Sequence, residues 1–387
     1  MRSRAEVVVP DRRSLAVAPS KEASLSAGQI AVGIIGLGRS GWNIHAAGLR
    51  ELPDRFRVVA VADPLEARRV EAATELGVTT YTEPRQLIAD DRVELVVVAT
   101  PSHTHVPIAL IALQAGKHVV LEKPMAQRPE EIDLMAAVAE SAGRVLTCFQ
   151  NNRLEPSFLA VRQIIESGRI GEVVLVRRAI HRFARRADWQ TLRSHGGGEL
   201  SNKVSHYLDQ LLLLIGDTPT SVSADLRHTV SAGDAEDHVK LTLRPEHGPV
   251  LEVESSATVA LPQDSWFVVG TAGGIAGSQS TLRVRWFDPA ALPALVLRTG
   301  AAEGREYGTD ESIDWSEETV AVGPSRRTER YYRRLYATLR EGADLFVTPA
   351  SVRRQVEILT RARTRSGAPR ERRSTISTTQ ELSAGLR

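Results

Sequence analysis

Ile30-Ala31-Val32-Gly33-Ile34-Ile35-Gly36-Leu37-Gly38-Arg39-Ser40-Gly41 joins an apolar run to a glycine-rich turn. The apolar run predicts a buried strand, and the residues after Gly41 predict a helix. A second apolar run, 57–62, ends at Asp63, which lies 22 positions after Gly41. A G-x-G-x-x-G turn between a strand and a helix, followed by an acid about 20 residues on, is typical of a dinucleotide-binding βαβ unit.

The glycines of this turn are the first candidate cofactor-binding residues. Gly36 permits a tight turn, Gly38 lets the backbone approach a pyrophosphate, and Gly41 lets the helix pack closely on the strand. The phosphates are then expected at the N-terminus of the helix. A glycine-rich turn without a ligand is the alternative interpretation.

The neighbouring polar residues complete the predicted nucleotide site. Arg39 and Ser40 lie within the turn and are candidate phosphate contacts. Asp63 is expected to accept hydrogen bonds from the adenosine ribose and to repel a 2′-phosphate. The predicted cofactor is therefore NAD, with NADP as the alternative.

Strands and helices continue to alternate up to about residue 150, which predicts right-handed parallel crossovers. An apolar run over 93–99 ends at Thr100-Pro101, with His105 close behind, and a run over 116–121 ends at Glu122-Lys123-Pro124. Open α/β sheets hold their ligands at the carboxyl ends of the strands. Thr100, Pro101, His105, Glu122 and Lys123 are therefore candidate cofactor contacts, and Lys123 is predicted to stand where cofactor and substrate meet.

Composition excludes several function classes. Lys plus Arg (49) nearly balance Asp plus Glu (47), so no global charge favours nucleic acid or an anionic membrane. The one cysteine, Cys148, excludes a disulfide framework, and without histidine or carboxylate clusters at ligand spacing we expect no metal. No apolar run approaches the roughly 18 residues of a membrane span. We expect a cytoplasmic protein.

The second half of the sequence has a different pattern of predicted strands and helices. Strand-like runs over 173–179, 221–226, 238–243, 250–259 and 266–269 have few helices between them. They predict a mostly antiparallel sheet with one open face. The predicted fold class is therefore α/β, with an N-terminal parallel sheet and a C-terminal α+β domain.

Four segments follow from this organisation. They are a disordered extension over 1–28, a dinucleotide-binding domain over 29–150, a substrate domain over 151–365, and a disordered tail over 366–387. Helices are predicted over 151–168, 331–342 and 350–362. The basic segment 361–373 is expected to belong to the disordered tail.

The segment from Gly196 to Asp209 is the second candidate site. Its three glycines, 196–198, let the backbone pass close to a ligand, and Ser201 or Asn202 is predicted to cap the next helix. The apolar stripe of that helix leaves Asn202 and His206 on another face. A histidine with a pKa near neutrality suits proton exchange with an alcohol, whereas a plain surface histidine is the alternative.

These motifs together resemble those of the Gfo/Idh/MocA oxidoreductase family, over about residues 29–362. The matching segments are the glycine turn 36–41, Asp63, Thr100-Pro101 with His105, Gly116 to Val119, Glu122-Lys123-Pro124, and Gly196 to His206. The resemblance implies that residues 29–150 form a Rossmann dinucleotide-binding domain and that residues 151–365 form an α+β substrate and oligomerisation domain. It also implies a bound nicotinamide nucleotide, sugar or cyclitol substrates, and a homodimer or homotetramer built through the C-terminal sheet.

The resemblance also implies roles for individual residues. Lys123 matches the lysine that contacts substrate and nicotinamide ribose, and His206 matches the general acid/base. Asn202 stands where many relatives have an aspartate, and an amide cannot accept a proton. Lys203 is the neighbouring candidate that could compensate, so Asn202 and Lys203 join the predicted substrate site.

The leading hypothesis is hydride transfer between a nicotinamide and a carbinol or keto carbon of a sugar, cyclitol or sugar derivative. Seven basic residues over 177–193, including Arg193, suggest an anionic or nucleotide-linked substrate. A solvated strand face or a subunit contact is the alternative reading of these residues. NAD-dependent elimination or glycoside cleavage without net redox, and a non-catalytic nucleotide-binding sensor, remain alternative functions. RNA binding by the basic tail is a further alternative.

Overall fold

The computed structural model describes Ser26 and residues 28–218, 220–297, 299–301 and 311–366. The expectations of disorder for residues 1–25 and 367–387 lie outside these described residues. No helix in the described ranges is long and apolar enough to cross a membrane.

Six parallel strands form the first sheet, in the spatial order β3-β2-β1-β4-β5-β6. In chain order they are β1 (Ile30–Ile35), β2 (Phe56–Ala62), β3 (Thr79–Tyr81), β4 (Leu95–Val98), β5 (His118–Leu121) and β6 (Leu146–Cys148). The helices between them are α1 (Ala47–Arg50), α2 (Glu66–Leu76), α3 (Pro84–Ile88), α4 (His105–Gln114) and α5 (Pro129–Ser141). Strand order reverses between β1 and β4, which places the ligand cleft at their carboxyl ends.

The sequence explains why this sheet is parallel and central. All residues of β1 and β4 are buried, so neither face of these strands meets water. Fully apolar strands are stable only when helices cover both faces of a sheet. The first hydrophobic core accordingly joins the strands to α4, α5 and the region before α1.

Eight strands form the second sheet, in the order β14-β13-β12-β11-β7-β10-β9-β8. They are β7 (Val173–His181), β8 (Thr220–Arg227), β9 (His238–Pro245), β10 (Val250–Ser256), β11 (Trp266–Gly270), β12 (Gly273–Gly277), β13 (Thr281–Trp286) and β14 (Ser316–Ala321). Only β7 and β10 pair in parallel among these neighbours. The predicted α/β fold with a large, mostly antiparallel second sheet is confirmed.

One face of the second sheet is covered and the other is open. In β9, Val239, Leu241 and Leu243 are buried, while Lys240 and Arg244, which alternate with them along the strand, are exposed. The covered face packs against α6 (Pro156–Glu166) and α7 (Ser205–Ile215), which supply apolar residues to the second hydrophobic core. This alternation is typical of a sheet with one solvent-facing side.

The connection between the two sheets corrects one expectation. A single helix over 151–168 was predicted, but the structure has a 3₁₀ turn at Asn151–Leu154 and then α6 from Pro156. Glu155, directly before the proline, is extended (φ −64°, ψ 124°). Proline disfavours helical geometry in the residue before it and suits the first turn of a new helix, so the chain breaks at Glu155.

The last two helices tie the domains together. α8 (Arg327–Arg340) packs Tyr331, Tyr332 and Leu335 into the first core. α9 (Pro349–Ser366) contributes to both cores, with Val352 and Val356 in the first core and residues 358, 359 and 362 in the second. The expectation that residues 361–366 are disordered is wrong, because α9 continues through them. Residues 367–373 of the basic segment lie outside the described part of the chain.

Candidate active site

The three glycines of the turn have different surroundings: Gly36 and Gly41 are closely packed, and Gly38 borders open space. Gly36 has φ +91°, and a Cβ on it would lie 2.8 Å from the carbonyl oxygen of Ala99. A Cβ on Gly41 would lie 1.8 Å from the carbonyl oxygen of Gly36. Around Gly38, by contrast, a Cβ would meet nothing within 4 Å. The space at Gly38 therefore fits the close approach of a pyrophosphate.

The helix after the glycine turn begins with π-helical geometry. Residues Gly41–Ala46 form a π-helical turn that leads into α1. Ser40 precedes this turn without a side-chain capping bond, and Arg39 is exposed. Arg39 and Ser40 directly follow Gly38 in the sequence. Their contact with a phosphate stays a prediction.

Asp63 links the turn to the end of β2. Its Oδ2 accepts a 2.8 Å hydrogen bond from the backbone N–H of Leu37, and its Oδ1 accepts one of 2.9 Å from Leu65. Arg68 Nη1 lies 3.2 Å from Oδ2, and Asp63 is only 2% exposed. The carboxylate therefore positions the glycine turn and stands at the edge where an adenosine ribose would bind.

His105 is buried, with each ring nitrogen close to a backbone carbonyl. Its Nδ1 lies 2.9 Å from the carbonyl oxygen of Pro124, and its Nε2 lies 2.9 Å from the carbonyl oxygen of Thr100. Burial lowers the pKa of His105 below the usual histidine value. His105 thus ties the loop after β4 to the loop after β5, while Pro101 beside it is exposed. A direct cofactor contact by Thr100, Pro101 or His105 stays a prediction.

Glu122 is held as a buried anion. His45 Nε2 lies 3.3 Å from its Oε1, and the backbone N–H of Lys123 donates to its Oε2 at 2.9 Å. Burial would raise the pKa of Glu122, but the contact with His45 and the positive charge of Lys123 outweigh it and lower the pKa to about 2. His45 Nδ1 in turn lies 2.7 Å from the hydroxyl of Tyr332. Sequence reasoning missed His45 and Tyr332, because no local spacing connects them.

Lys123 bridges the two domains. Its Nζ donates a 3.1 Å hydrogen bond to the backbone carbonyl of Asn202. Burial lowers the pKa of Lys123, while the negative charge of Glu122 opposes that shift. The predicted meeting of Glu122-Lys123 with the Gly196–His206 segment is therefore observed.

The segment carrying Asn202 and His206 differs locally from expectation. A π-helical turn, Leu200–Val204, runs directly into α7, so Ser201 and Asn202 lie inside a helix and do not cap it. The Asn202 side-chain amide donates to the carbonyl of Gln190 at 3.2 Å. Asn202 thereby ties the helix to the 3₁₀ turn Trp189–Thr191.

His206 lies one helical turn after Asn202 and is partly buried. Its Nδ1 lies 3.2 Å from Gln150 Oε1. A pKa near neutrality was expected, but burial first, and then the positive charge of Lys123, lower the pKa of His206 well below the usual value. The imidazole is therefore neutral at physiological pH and ready to accept a proton.

The basic stretch over 177–193 is mostly paired within the protein. The ion pairs are Arg177 with Glu252 at 2.8 Å, Arg182 with Glu199 at 2.6 Å, and Arg186 with Asp188 at 2.8 Å. Arg178 is fully buried between the rings of Trp266 and Tyr207. These internal partners favour a structural role for the four residues over a substrate contact. A solvated strand face fits only Arg177, because Arg178 is buried and Arg182 and Arg186 lie beyond the end of β7.

Arg193 has a different position. It is exposed and lines a cavity of about 300 Å³ with Gln127, Gly196 and Arg363. This cavity lies at the glycine-rich loop, and neither Lys123 nor His206 borders it. A substrate contact by Arg193 stays a prediction. In the described part of the chain, no group of three or more His, Cys, Asp or Glu side chains could hold a metal.

Comparison with known proteins identifies relatives across both domains. Residues 30–150 match the family model described as an oxidoreductase family with an NAD-binding Rossmann fold. Residues 158–276 match the model of the GFO/IDH/MocA C-terminal domain.

Individual relatives agree with the family models. An uncharacterised oxidoreductase of Schizosaccharomyces pombe is 33% identical over 257 residues, covering 63% of this chain and 69% of its own length. The scyllo-inositol 2-dehydrogenase (NADP(+)) IolW of Bacillus subtilis is 27% identical over 346 residues, covering 82% of this chain and 88% of its own. A crystal structure of the WlbA dehydrogenase of Bordetella pertussis, in complex with NADH and UDP-GlcNAcA, superposes with a TM-score of 0.69 at 25% identity, over 87% of this chain and 96% of that one. This chain therefore belongs to the Gfo/Idh/MocA family of oxidoreductases, with an NAD-binding Rossmann domain.

Proposed function

We propose that this protein transfers a hydride between a nicotinamide nucleotide and a carbinol or keto carbon of a sugar, a cyclitol or a sugar derivative. One observation carries the proposal: Lys123, just after the carboxyl end of β5, bonds to the π-helical turn Leu200–Val204, which runs directly into α7, the helix that carries His206. A cation and a neutral base from two domains thus lie close enough to interact electrostatically. The names of IolW and WlbA support a substrate of this class.

The bound nicotinamide ring supplies the hydride chemistry, and the protein handles the proton and the charge. His206 accepts the proton of the alcohol because its imidazole is neutral. Lys123 donates a hydrogen bond to the same oxygen and stabilises the negative charge that develops there. Glu122, anionic beside it, keeps a positive Lys123 favourable. Asn202 orients the helix but accepts no proton.

NAD is the proposed cofactor. A 2′-phosphate at the end of β2 would meet the carboxylate of Asp63, which is buried and held by two backbone N–H groups. That repulsion outweighs the attraction of Arg68, since its guanidinium is already within 3.2 Å of Asp63. NAD is therefore expected to bind more tightly than NADP.

The proposed substrate carries an anionic group near Lys203. Lys203 follows Asn202 on the π-helical turn, and among the described residues no ion-pair or hydrogen-bond partner engages its amine. Burial lowers the pKa of Lys203, and Arg182, Lys123 and Arg186 add to this effect. A carboxylate or phosphate on the substrate would relieve this crowding of positive charge.

The decisive experiment is an oxidation screen with NAD and NADP over polyols, sugars, sugar acids and UDP-sugars. With the best substrate, Lys123→Met and His206→Asn should each lower kcat/KM by about 100- to 10,000-fold, because each removes a group that acts in the transition state. Nucleotide binding, followed by NADH fluorescence, should be retained in His206→Asn, whereas Lys123→Met, which also removes a predicted ribose contact, should weaken it. Lys240→Met and His247→Asn change exposed residues of the second sheet and its turn and serve as matched controls.

Two outcomes would contradict the proposal. Near-normal turnover in either variant would remove that residue from the chemistry. Product formation by elimination, with no net change in the nucleotide, would show that the reaction is of another type.

A further inference from the structure

Two buried glutamines connect His206 to the helix backbone. Gln150 follows β6 and is fully buried, and Gln355 lies in α9 and is 1% exposed. His206 Nδ1 lies 3.2 Å from Gln150 Oε1, and Gln150 Nε2 donates to Gln355 Oε1 at 3.0 Å. Gln355 Nε2 donates to the backbone carbonyl of Ser205. This series of hydrogen bonds therefore begins at the ring of His206 and ends at the backbone carbonyl of Ser205.

The carbonyl of Ser205 gives this chain a direction. A backbone carbonyl can only accept, so the amide nitrogen of Gln355 must face Ser205 and its oxygen must face Gln150. The same reasoning turns the nitrogen of Gln150 to Gln355 and its oxygen to His206. The reverse orientation would place two buried oxygens against each other without a proton, which costs about 1–3 kcal/mol per unsatisfied group.

We propose that Gln150 and Gln355 are positioning residues that fix the tautomer of His206, with the ring proton on Nδ1 and the lone pair on Nε2. A neutral imidazole carries a single N–H, so a donor at Nδ1 leaves Nε2 free to accept a proton. The bound alcohol then gives its proton to Nε2. This inference rests on the proposed role of His206 as the base.

The surrounding charges are compatible with this tautomer. The charged groups that act on His206 are Lys123, Glu122, Arg327 and Lys203, and three of these four are cationic. Together with burial they keep the ring neutral, so the tautomer and not the charge state determines which nitrogen is the base. The glutamines are uncharged. They therefore select between the two nitrogens without adding a negative charge that would raise the pKa of the His206 ring.

The first test is spectroscopic and needs no substrate. The full chain is labelled with ¹⁵N-histidine, and long-range ¹H–¹⁵N correlation spectra are recorded near pH 7.5. The His206 signals are identified by their loss in His206→Asn. We expect Nδ1 to be the protonated nitrogen of His206 in the wild-type protein. Protonation at Nε2 would overturn the inference, whatever the outcome of the substrate screen.

Variants then test the glutamines themselves. Gln355→Met removes the anchor while keeping the length of the side chain, so Gln150 can turn over and His206 should show a mixture of tautomers. We expect kcat to fall about tenfold, with KM nearly unchanged, because only a fraction of the enzyme then presents the base at Nε2. Gln150→Met should have the same effect if Gln355→Met does not fold. Gln163→Met, an exposed glutamine of α6, is the matched control and should change neither quantity.

An unchanged Nδ1–H tautomer in both glutamine variants would also overturn the inference. The wild-type spectrum decides the question even if both variants are unstable. A wild-type Nδ1–H tautomer together with a failed substrate screen would instead count against the proposed function alone.

Discussion

Gly38 and Gly41 belong to one turn, but we expect their replacement by alanine to affect different properties. Gly38→Ala should change cofactor affinity, and Gly41→Ala should change stability. At Gly38 the added Cβ meets no protein atom, so Gly38→Ala should leave thermal stability unchanged. The methyl would instead fill the space proposed for the pyrophosphate, and NADH affinity should fall at least about tenfold, which is about 1.4 kcal/mol. Fluorescence titration and thermal unfolding of the same sample measure the two quantities.

Gly41→Ala is the opposite case, because its Cβ would lie 1.8 Å from the carbonyl oxygen of Gly36. Backbone atoms must move to admit it, so a destabilisation of at least about 1–3 kcal/mol is expected. Gly323→Ala, a glycine with equally open space far along the chain, is the control for Gly38→Ala. Unchanged NADH affinity in Gly38→Ala would show that no phosphate approaches this residue.

The residues that the sequence could predict are those with local patterns. The glycine turn, Asp63, Lys123 and His206 follow or precede recognisable strands and helices, and the structure brings Lys123 to the segment that carries His206. His45 could not be found in this way, because its partner Tyr332 lies 287 residues away. Gln150 has the same character: its partners lie 56 and 205 residues along the chain.

At the level of helices and strands, burial explains which elements were predictable. Strands β1 and β4 are continuous apolar runs and were predicted nearly to their bounds. Strand β3, Thr79–Tyr81, was missed because it has only three half-buried residues and no apolar run. The π-helical start of α7 was also missed, because it depends on contacts such as that of Asn202 with Gln190.

The helix that carries His206 is fixed by a buried ion pair. Arg153 Nε and Nη2 each lie 2.7 Å from an oxygen of Asp209, and both side chains are nearly inaccessible. Arg153 also donates to Ser351 in the first turn of α9. Because removing one partner leaves the other charge buried and unpaired, Arg153→Met should lower the free energy of unfolding by about 3–5 kcal/mol. Denaturant unfolding measures this quantity.

A second variant separates the ion pair from the general cost of changing a buried site. Arg153→Met combined with Asp209→Leu removes both charges and should recover part of the lost stability. Arg162→Met breaks an exposed pair with Glu166 on α6 and should cost less than about 0.5 kcal/mol. If Arg153→Met is no more destabilising than Arg162→Met, the pair does not hold α7 in place.

At the level of the whole molecule, the site depends on how the two domains are joined. Lys123 belongs to the first sheet and His206 to the helix that covers the second, and α9 packs into both cores. From the sequence, the part of the site around Lys123 and the part around His206 could be predicted only separately. Their relative position follows from long-range packing that no local pattern encodes.

The open face of the second sheet is the surface through which we expect copies of the chain to associate. At its centre, Phe267 of β11 is 40% exposed and lies beside Arg177 of β7 and Ala276 of β12. Arg177 pairs with Glu252 on the same face, so an apolar centre is bordered by paired charges. This pattern is typical of a subunit interface.

Phe267→Glu would place a negative charge at the centre of this face, where an interface would have to bury it. We therefore expect a dimer or tetramer for the wild-type protein and a shift toward monomer for Phe267→Glu, measured by light scattering across a dilution series. Leu134→Glu, at a residue of α5 that is 52% exposed, is the matched control and should leave the mass unchanged. A monomeric wild type, or a Phe267→Glu variant with wild-type mass, would show that this sheet face is not the interface. The neighbouring Arg177 is already paired with Glu252, so a glutamate buried at position 267 would be too costly to retain.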